Sequence, residues 1–111
     1  MQREIKFRFC RPSTNKMIYP TMRNFNDLIE SEDWKVMQFT GLHDIDGNEI
    51  YEGDVLQILD EKVKVIYNSF KACFDIEYIG GDCERMCETW DEGGEKYEVI
   101  GNIYENPELI A

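Results

Sequence analysis

The chain has 111 residues, and its 23 acidic and 12 basic residues give it a formal net charge of −11 at pH 7. This length suits one domain, and a hydrophobic share of 42% can fill one modest core, which excludes a compositionally disordered chain. The negative charge disfavours direct binding to nucleic acid or anionic lipid, and no apolar run is long enough to cross a bilayer.

The leading segment, residues 1–23, predicts a basic hairpin. Residues 3–11 alternate large apolar side chains with charged or small ones, which is the period of a strand. Residues 11–15 are rich in turn formers, and residues 17–19 are expected to return as a second strand. The leading segment holds six basic residues and one acidic residue, so we expect it to lie against an acidic body, its own or that of a neighbouring subunit.

The next part of the chain combines a short helical pattern with a second hairpin. Residues 24–33 place Phe25, Leu28 and Ile29 at helical spacing, so one helical turn and an irregular loop both stay open. Residues 35–42 are expected to be extended. Asp46-Gly47-Asn48 lies between them and Ile50-Tyr51 and has the composition of a tight turn with positive φ.

The second half of the chain predicts further strands. Residues 55–59 form a nearly continuous apolar run, which is typical of a strand buried on both faces at the centre of the core. Residues 63–67 and 74–79 alternate with period two, so three consecutive antiparallel strands are expected. Residues 83–94 are acidic and aperiodic, which indicates a long loop, and residues 97–104 are again extended.

Short strands with little helix predict a mainly β fold: a small single domain with an antiparallel curled sheet or barrel, SH3-like or similar, and an N-terminal hairpin. We expect residues 1–111 to form one domain, with residues 1–23 as a basic hairpin or arm and residues 35–111 as the β core.

Two long strings in the sequence are similar to a known family. The first, Met37 to Val55, reads MQFTGLHDIDGNEIYEGDV. The second, Val99 to Leu109, reads VIGNIYENPEL. Together with the opening Arg3 to Arg8, they resemble the YopX-like proteins of bacteriophages and prophages. The resemblance implies a fold and no settled biochemical activity.

Two patterns suggest metal binding, and neither has the required spacing. Cys83 and Cys87, with Cys10, Cys73 and His43 elsewhere, lack the Cys-x2-Cys spacing that is typical of structural zinc, so we expect free thiols. The acidic neighbours of Cys83 and Cys87 should also raise their thiol pKa values. Around Gly47, the carboxylates fail the spacing of a calcium loop, which leaves a polar hairpin tip.

Catalysis has weak support in the sequence. The pairs Asp33/Lys35 and Asp60/Lys62 fit a metal-dependent nuclease, but a surface that repels phosphate opposes that chemistry. His43 is the one histidine, and beside a turn it is expected to be a solvated polar residue. We therefore expect no catalytic residue, no cofactor and no bound metal.

Aromatic residues supply the candidate contact sites. Tyr and Trp carry much of the energy of protein interfaces, and the candidate partner-binding residues are Trp90, Tyr51 and Tyr104. Trp90 stands out because it lies in the acidic segment without a periodic partner.

These observations favour a non-enzymatic phage or prophage protein of the cytoplasm that binds another protein, self-associates, or does both. The alternative is an acidic nucleic-acid mimic that occupies the DNA-binding cleft of a host enzyme. A small metal-dependent hydrolase is a third hypothesis.

Overall fold

The computed structural model describes residues 5–20, 25–86 and 97–110. In chain order these residues form β1 (Phe7–Arg11), β2 (Lys16–Ile18), α1 (Phe25–Glu30), β3 (Lys35–His43), β4 (Glu49–Tyr51), β5 (Asp54–Ile58), β6 (Glu61–Asn68), β7 (Cys73–Tyr78), β8 (Cys83–Arg85), β9 (Glu98–Asn102) and a 3₁₀ helix (Pro107–Ile110). None of the helices in this part of the chain is long and apolar enough to span a membrane.

The first sheet contains four antiparallel strands in the order β2-β1-β3-β4. Strands β1 and β2 form the predicted N-terminal hairpin, with Phe9 opposite Ile18. Strands β3 and β4 meet at the predicted tight turn, where Gly47 has a φ of +86° and its N–H donates to the Asp44 carbonyl at 3.1 Å. Glycine adopts this left-handed conformation without the steric cost that a Cβ would add.

The second sheet contains five antiparallel strands in the order β8-β7-β6-β5-β9. Strands β5, β6 and β7 follow one another as the predicted antiparallel meander. The sheet curls into a half-barrel whose edges are β8 and β9, so the curled form of the predicted fold is the one adopted. Strand β5 lies inside this sheet between β6 and β9, and both Val55 and Leu56 are fully buried.

Two clusters of buried side chains form the core. The larger cluster packs aliphatic residues of β4 to β7 against Met86 and Tyr97. The smaller one comprises Cys10, Met37, Phe39 and Tyr51. The described residues are therefore mainly β, as predicted, and α1 is a short helix.

Several predicted elements are wrong at their boundaries. The buried strand expected over residues 55–59 ends at Ile58, with Leu59 86% exposed, and the strand expected over residues 97–104 ends at Asn102. The strand expected over residues 3–11 begins at Phe7, where the register between β1 and β3 starts, and Ile5 is 58% exposed; residues 3 and 4 lie outside the described part of the chain. The loop expected over residues 83–94 begins instead with β8, which pairs with β7. A strand of three residues is too short to show a period of two in the sequence. Residues 87–96 lie outside the described part of the chain.

Candidate interaction surface

The turn between β3 and β4 is tied to β9 by one buried carboxylate. Asp44 is 6% exposed, and its Oδ2 accepts a hydrogen bond from the Val99 backbone N–H at 2.9 Å. Its Oδ1 accepts the backbone N–H groups of Asp46 and Asn48, and the Asn48 side-chain amide donates to Oδ2. Burial opposes ionisation of Asp44, but these donors outweigh it and lower the pKa of the carboxyl. The carboxylate is thus used by the fold, as the hairpin-tip interpretation predicts.

A second buried carboxylate stands where the chain passes from the first sheet to the second. Asp54 is 1% exposed, forms an ion pair with Arg8 and accepts the Tyr51 N–H at 2.8 Å. The Arg8 guanidinium also lies 4.3 Å from the centroid of the Tyr51 ring. Burial raises the pKa of Asp54 to about 6, against the opposing attraction of Arg8.

The two strings that carry the family resemblance meet at this passage. The Ile103 N–H donates to the Gly53 carbonyl at 2.8 Å, and the Tyr104 ring lies against Gly53. Asn102 organises the turn that follows β9, because its Oδ1 accepts the N–H groups of Tyr104 and Glu105. The strings therefore build the junction between the two sheets.

The candidate contact residues have different placements. Tyr51 is 2% exposed, and its hydroxyl donates to Glu49 at 3.1 Å; burial and then Glu49 raise its pKa to about 12. Tyr104 is half-buried beside Gly53. Trp90 lies outside the described residues. A direct partner contact by Tyr51, Tyr104 or Trp90 stays a prediction. Tyr51 lines a surface cavity together with Tyr19 and Lys6, so a partner would contact it by entering that cavity.

Three basic residues of the leading segment lie close to carboxylates of the same chain. Lys6 pairs with Glu49 and Arg8 pairs with Asp54, while Arg11 lies 3.9 Å from Asp33. Lys6 holds the pKa of the Glu49 carboxyl below its usual value. The hairpin thus lies against an acidic body of its own.

Cys83 and His43, two residues of the candidate metal sites, are both exposed. Cys83 is exposed, and partial burial followed by the nearby Glu77 and Asp75 raises its pKa, so acidic surroundings act as expected although through other residues. Cys87 lies outside the described residues, which contain no group of three His, Cys, Asp or Glu side chains placed to hold a metal. His43 is exposed, with its ring 5.6 Å from that of Phe39.

The two candidate nuclease pairs are not brought together into one recognisable arrangement. Asp33 faces Arg11, and Lys35 belongs to the first sheet, whereas Asp60 and Lys62 belong to a turn and strand of the second sheet. Nothing in the described chain joins them to a shared site.

A different surface combines exposed aliphatic and acidic side chains. The β5–β6 turn and the β7–β8 turn lie at the same end of the second sheet, since β6 and β7 run antiparallel with Val63 opposite Tyr78. We call this region, residues 59–62 and 78–82, the acidic turn end. Leu59 is 86% exposed and Ile79 is 66% exposed. A cavity of about 300 Å³ lies between the two turns, lined by Asp60, Glu61, Lys62, Tyr78, Ile79 and Gly80.

Leu59 is unfavourable in its place for two physical reasons. Its φ of +52° puts it in the left-handed region, which costs a residue with a Cβ about 1–2 kcal/mol. Its side chain also gains nothing from burial in the isolated chain. The backbone there is held by a hydrogen bond from the Gln57 side-chain amide to the Leu59 carbonyl at 2.8 Å.

The charges of the acidic turn end are unbalanced. Asp60, Glu61 and Asp82 are exposed, and none of them takes part in the ion pairs that the described residues form. Lys62 is the basic residue that lines the cavity. Sequence reasoning missed this surface, because only the meander brings the two turns together.

The comparisons with known proteins decide the family. A family model described as YopX protein matches residues 11–111. This chain belongs to the YopX family. The match covers both strings of the sheet junction and both turns of the acidic turn end. The crystal structure of protein EF1440 from Enterococcus faecalis is similar to this YopX chain, with 23% identity and a TM-score of 0.69 over 99% of this chain and 100% of that one, which shows a common fold. A search of curated proteins gave no match.

Proposed function

We propose that this YopX-family chain is a non-enzymatic protein-binding module whose contact surface is the acidic turn end. One observation carries the proposal: Leu59 is strongly exposed and also adopts a backbone conformation that leucine disfavours. An exposed apolar side chain and a left-handed backbone both cost stability. Such costs are typical of functional sites, where the free energy of binding compensates for them. Burial of Leu59 and Ile79 against a partner would supply it.

The surroundings of Leu59 indicate the chemistry of the partner. Exposed carboxylates of Asp60, Glu61 and Asp82 surround the two aliphatic side chains. A partner with an apolar patch inside a basic rim complements this arrangement, and a net charge of −11 speeds its approach at low ionic strength. The proposed partner is therefore a basic protein.

Head-to-tail assembly of the chain through its basic leading segment has less support. Lys6, Arg8 and Arg11 already face carboxylates of the same chain. These positive charges are thus largely paired within the molecule. The acidic turn end is therefore better matched by a basic protein of another kind.

The same unpaired carboxylates favour a second candidate function, an acidic mimic of nucleic acid. In that case the basic partner surface would be one that otherwise holds DNA or RNA, with carboxylates in the place of phosphates. Competition by duplex DNA for the partner separates this function from ordinary protein binding.

We place either function in the cytoplasm. Cys10 and Cys83 are free thiols, as the reducing cytosol maintains. We also propose that the protein is encoded by a phage or prophage.

The test is capture of partners from a lysate of the native cell at low and at moderately high salt, followed by affinity measurement with each purified partner. Leu59→Asn and the double variant Asp60→Asn/Glu61→Gln alter the acidic turn end. Ile29→Asn and Glu30→Gln/Glu32→Gln are matched controls, because they change exposed aliphatic and acidic residues of and just after α1 in the same way.

We expect a basic partner whose affinity falls at least about tenfold in both turn-end variants, since buried anchor residues at interfaces contribute this much or more. The controls should bind as the wild type does. Equal binding by wild type and turn-end variants would contradict the proposal. Loss of the partner on addition of duplex DNA would assign the mimic function.

A further inference from the structure

A second exposed surface lies at the opposite end of the β6–β7 hairpin and is distinct from the acidic turn end. Phe70 sits at the tip of this hairpin with its side chain 100% exposed. The tip is ordered by Asn68, whose Oδ1 accepts the Phe70 N–H at 3.0 Å and the Lys71 N–H at 3.3 Å. The structure thus holds a large apolar ring out in solvent on a fixed turn.

Beside this tip, a groove of about 460 Å³ separates β3 from the β6–β7 hairpin. One wall is formed by alternate residues of β3, and the other by the hairpin, where Tyr67 and Phe74 pack edge to face with centroids 5.4 Å apart. Tyr67 is 46% exposed. Gln38 of β3 and Tyr67 and Phe74 of the hairpin are among the residues that line the groove. A recess of this size accommodates an aromatic ring.

Charge limits what can occupy the groove. The described side chains that line it are uncharged. The nearby Lys71 ammonium lies 3.4 Å from the buried carboxylate of Asp75, which also accepts a hydrogen bond from Asn68 at 2.9 Å. A basic partner therefore gains no attraction here. A second copy of this chain, whose net charge of −11 opposes self-association, meets no charged side chain among the described residues that line the groove.

The shape of the surface is self-complementary. A projecting ring and a recess that fits it lie side by side, so two copies related by a two-fold axis can each insert Phe70 into the other's groove. Such an isologous contact uses the same patch on both copies and closes after two. We propose that the chain forms this two-fold dimer, with Phe70 of each copy packed against Tyr67 and Phe74 of its partner.

Sedimentation of the full chain from about 1 μM to about 1 mM tests the proposal, a range that covers weak to moderate dimers. We expect the wild type to pass from monomer to dimer mass in this range. Phe70→Ser removes the ring, and Gln38→Arg fills the groove with a charged side chain, and each should raise the concentration at half-dimerisation at least about tenfold. Ile29→Asn, at an exposed position of α1 away from both surfaces, should leave the mass unchanged.

A mixture of the two variants separates this geometry from other dimers. Phe70→Ser keeps an intact groove and Gln38→Arg keeps an intact ring, so a mixed dimer retains one of the two contacts and neither pure variant retains any. The mixture should therefore dimerise at lower total concentration than either variant alone. A monomeric wild type, a dimer insensitive to both variants, or a mixture no better than its components would overturn the proposal. None of these results depends on binding at the acidic turn end.

Discussion

Asp44 and Val99 lie 55 positions apart in the chain, yet the Asp44 carboxylate accepts the Val99 backbone N–H at 2.9 Å. The neighbouring Ile45 N–H donates to the Tyr97 carbonyl at 2.9 Å. These bonds place the β3–β4 turn along the outer edge of β9. An exposed strand edge is a template for unwanted pairing, so the turn both joins the two sheets and covers this edge.

Asp44→Asn should destabilise the chain by about 2 kcal/mol. Hydrogen bonds to a charged acceptor are stronger than those to a neutral one. The Asp44 carboxylate offers its donors two acceptor oxygens, whereas the amide of asparagine offers one. Urea unfolding measures the change. Asp46→Asn, at an exposed position of the same turn, should stay within about 0.5 kcal/mol of the wild type. Equal stability of both variants would show that the Asp44 bonds add nothing.

The stability of the chain should carry a pH-dependent contribution from Asp54. Its folded pKa of about 6 exceeds the ordinary value of 3.8, so the folded state holds the proton more tightly than the unfolded state. The stabilisation that protonated Asp54 gives the folded state is then complete below about pH 4 and is lost as the pH rises through about 6. The size of the change is on the order of 2–3 kcal/mol.

Asp54→Asn isolates this contribution, because asparagine does not titrate at this position. The free energy of unfolding of the wild type minus that of the variant should decrease between pH 4 and pH 7. Asp44, Glu49 and Asp75 have lowered pKa values and act in the opposite direction, but they are common to both proteins and cancel in the difference. A difference that increases with pH would mean that attraction by Arg8 outweighs burial.

Gly101→Ala should destabilise the chain by about 1–3 kcal/mol through overpacking. A Cβ at this position would lie 2.6 Å from Asn106 Oδ1 and 2.8 Å from Leu109 Cδ1, so the turn after β9 or the 3₁₀ helix would have to move. Thermal unfolding measures the effect. Gly80→Ala is the control, since a Cβ there meets no atom within 4 Å. Similar melting temperatures for the two variants would contradict the expected crowding.

Leu59→Asn should raise the free energy of unfolding by about 0.5–1 kcal/mol while it weakens partner binding. Asparagine tolerates the left-handed conformation better than leucine does. Leu59→Ile keeps the size and apolarity of the side chain but is β-branched, so it should lower stability. Denaturant unfolding of the three proteins gives the order. If Leu59→Asn were the least stable, Leu59 would have to contribute to the fold itself, and its proposed role would fail.

The strands of this protein follow from its sequence because their signals are local. The alternation in β6 and β7 and the composition of the Asp46-Gly47-Asn48 turn each lie within a few residues, and the curled antiparallel fold follows from their order. Strand β8 escaped prediction because three residues carry no measurable period, and the start of β1 escaped it because β3 sets where pairing begins.

Only the tertiary structure decided which carboxylates are buried and which surfaces are left open. Aspartate is usually solvent-exposed, so its type alone predicts that Asp44, Asp54 and Asp75 are exposed. Asp44 and Asp54 are buried because donors from distant parts of the chain, Val99 and Arg8, bind their carboxylates. Asp75 is buried under polar side chains of the nearby hairpin turn. Likewise, Leu59 and Ile79 are 20 positions apart, and the meander alone places their turns at one end of the sheet. Periodicity specifies the strands, whereas long-range packing selects the side chains that are buried or left for a partner.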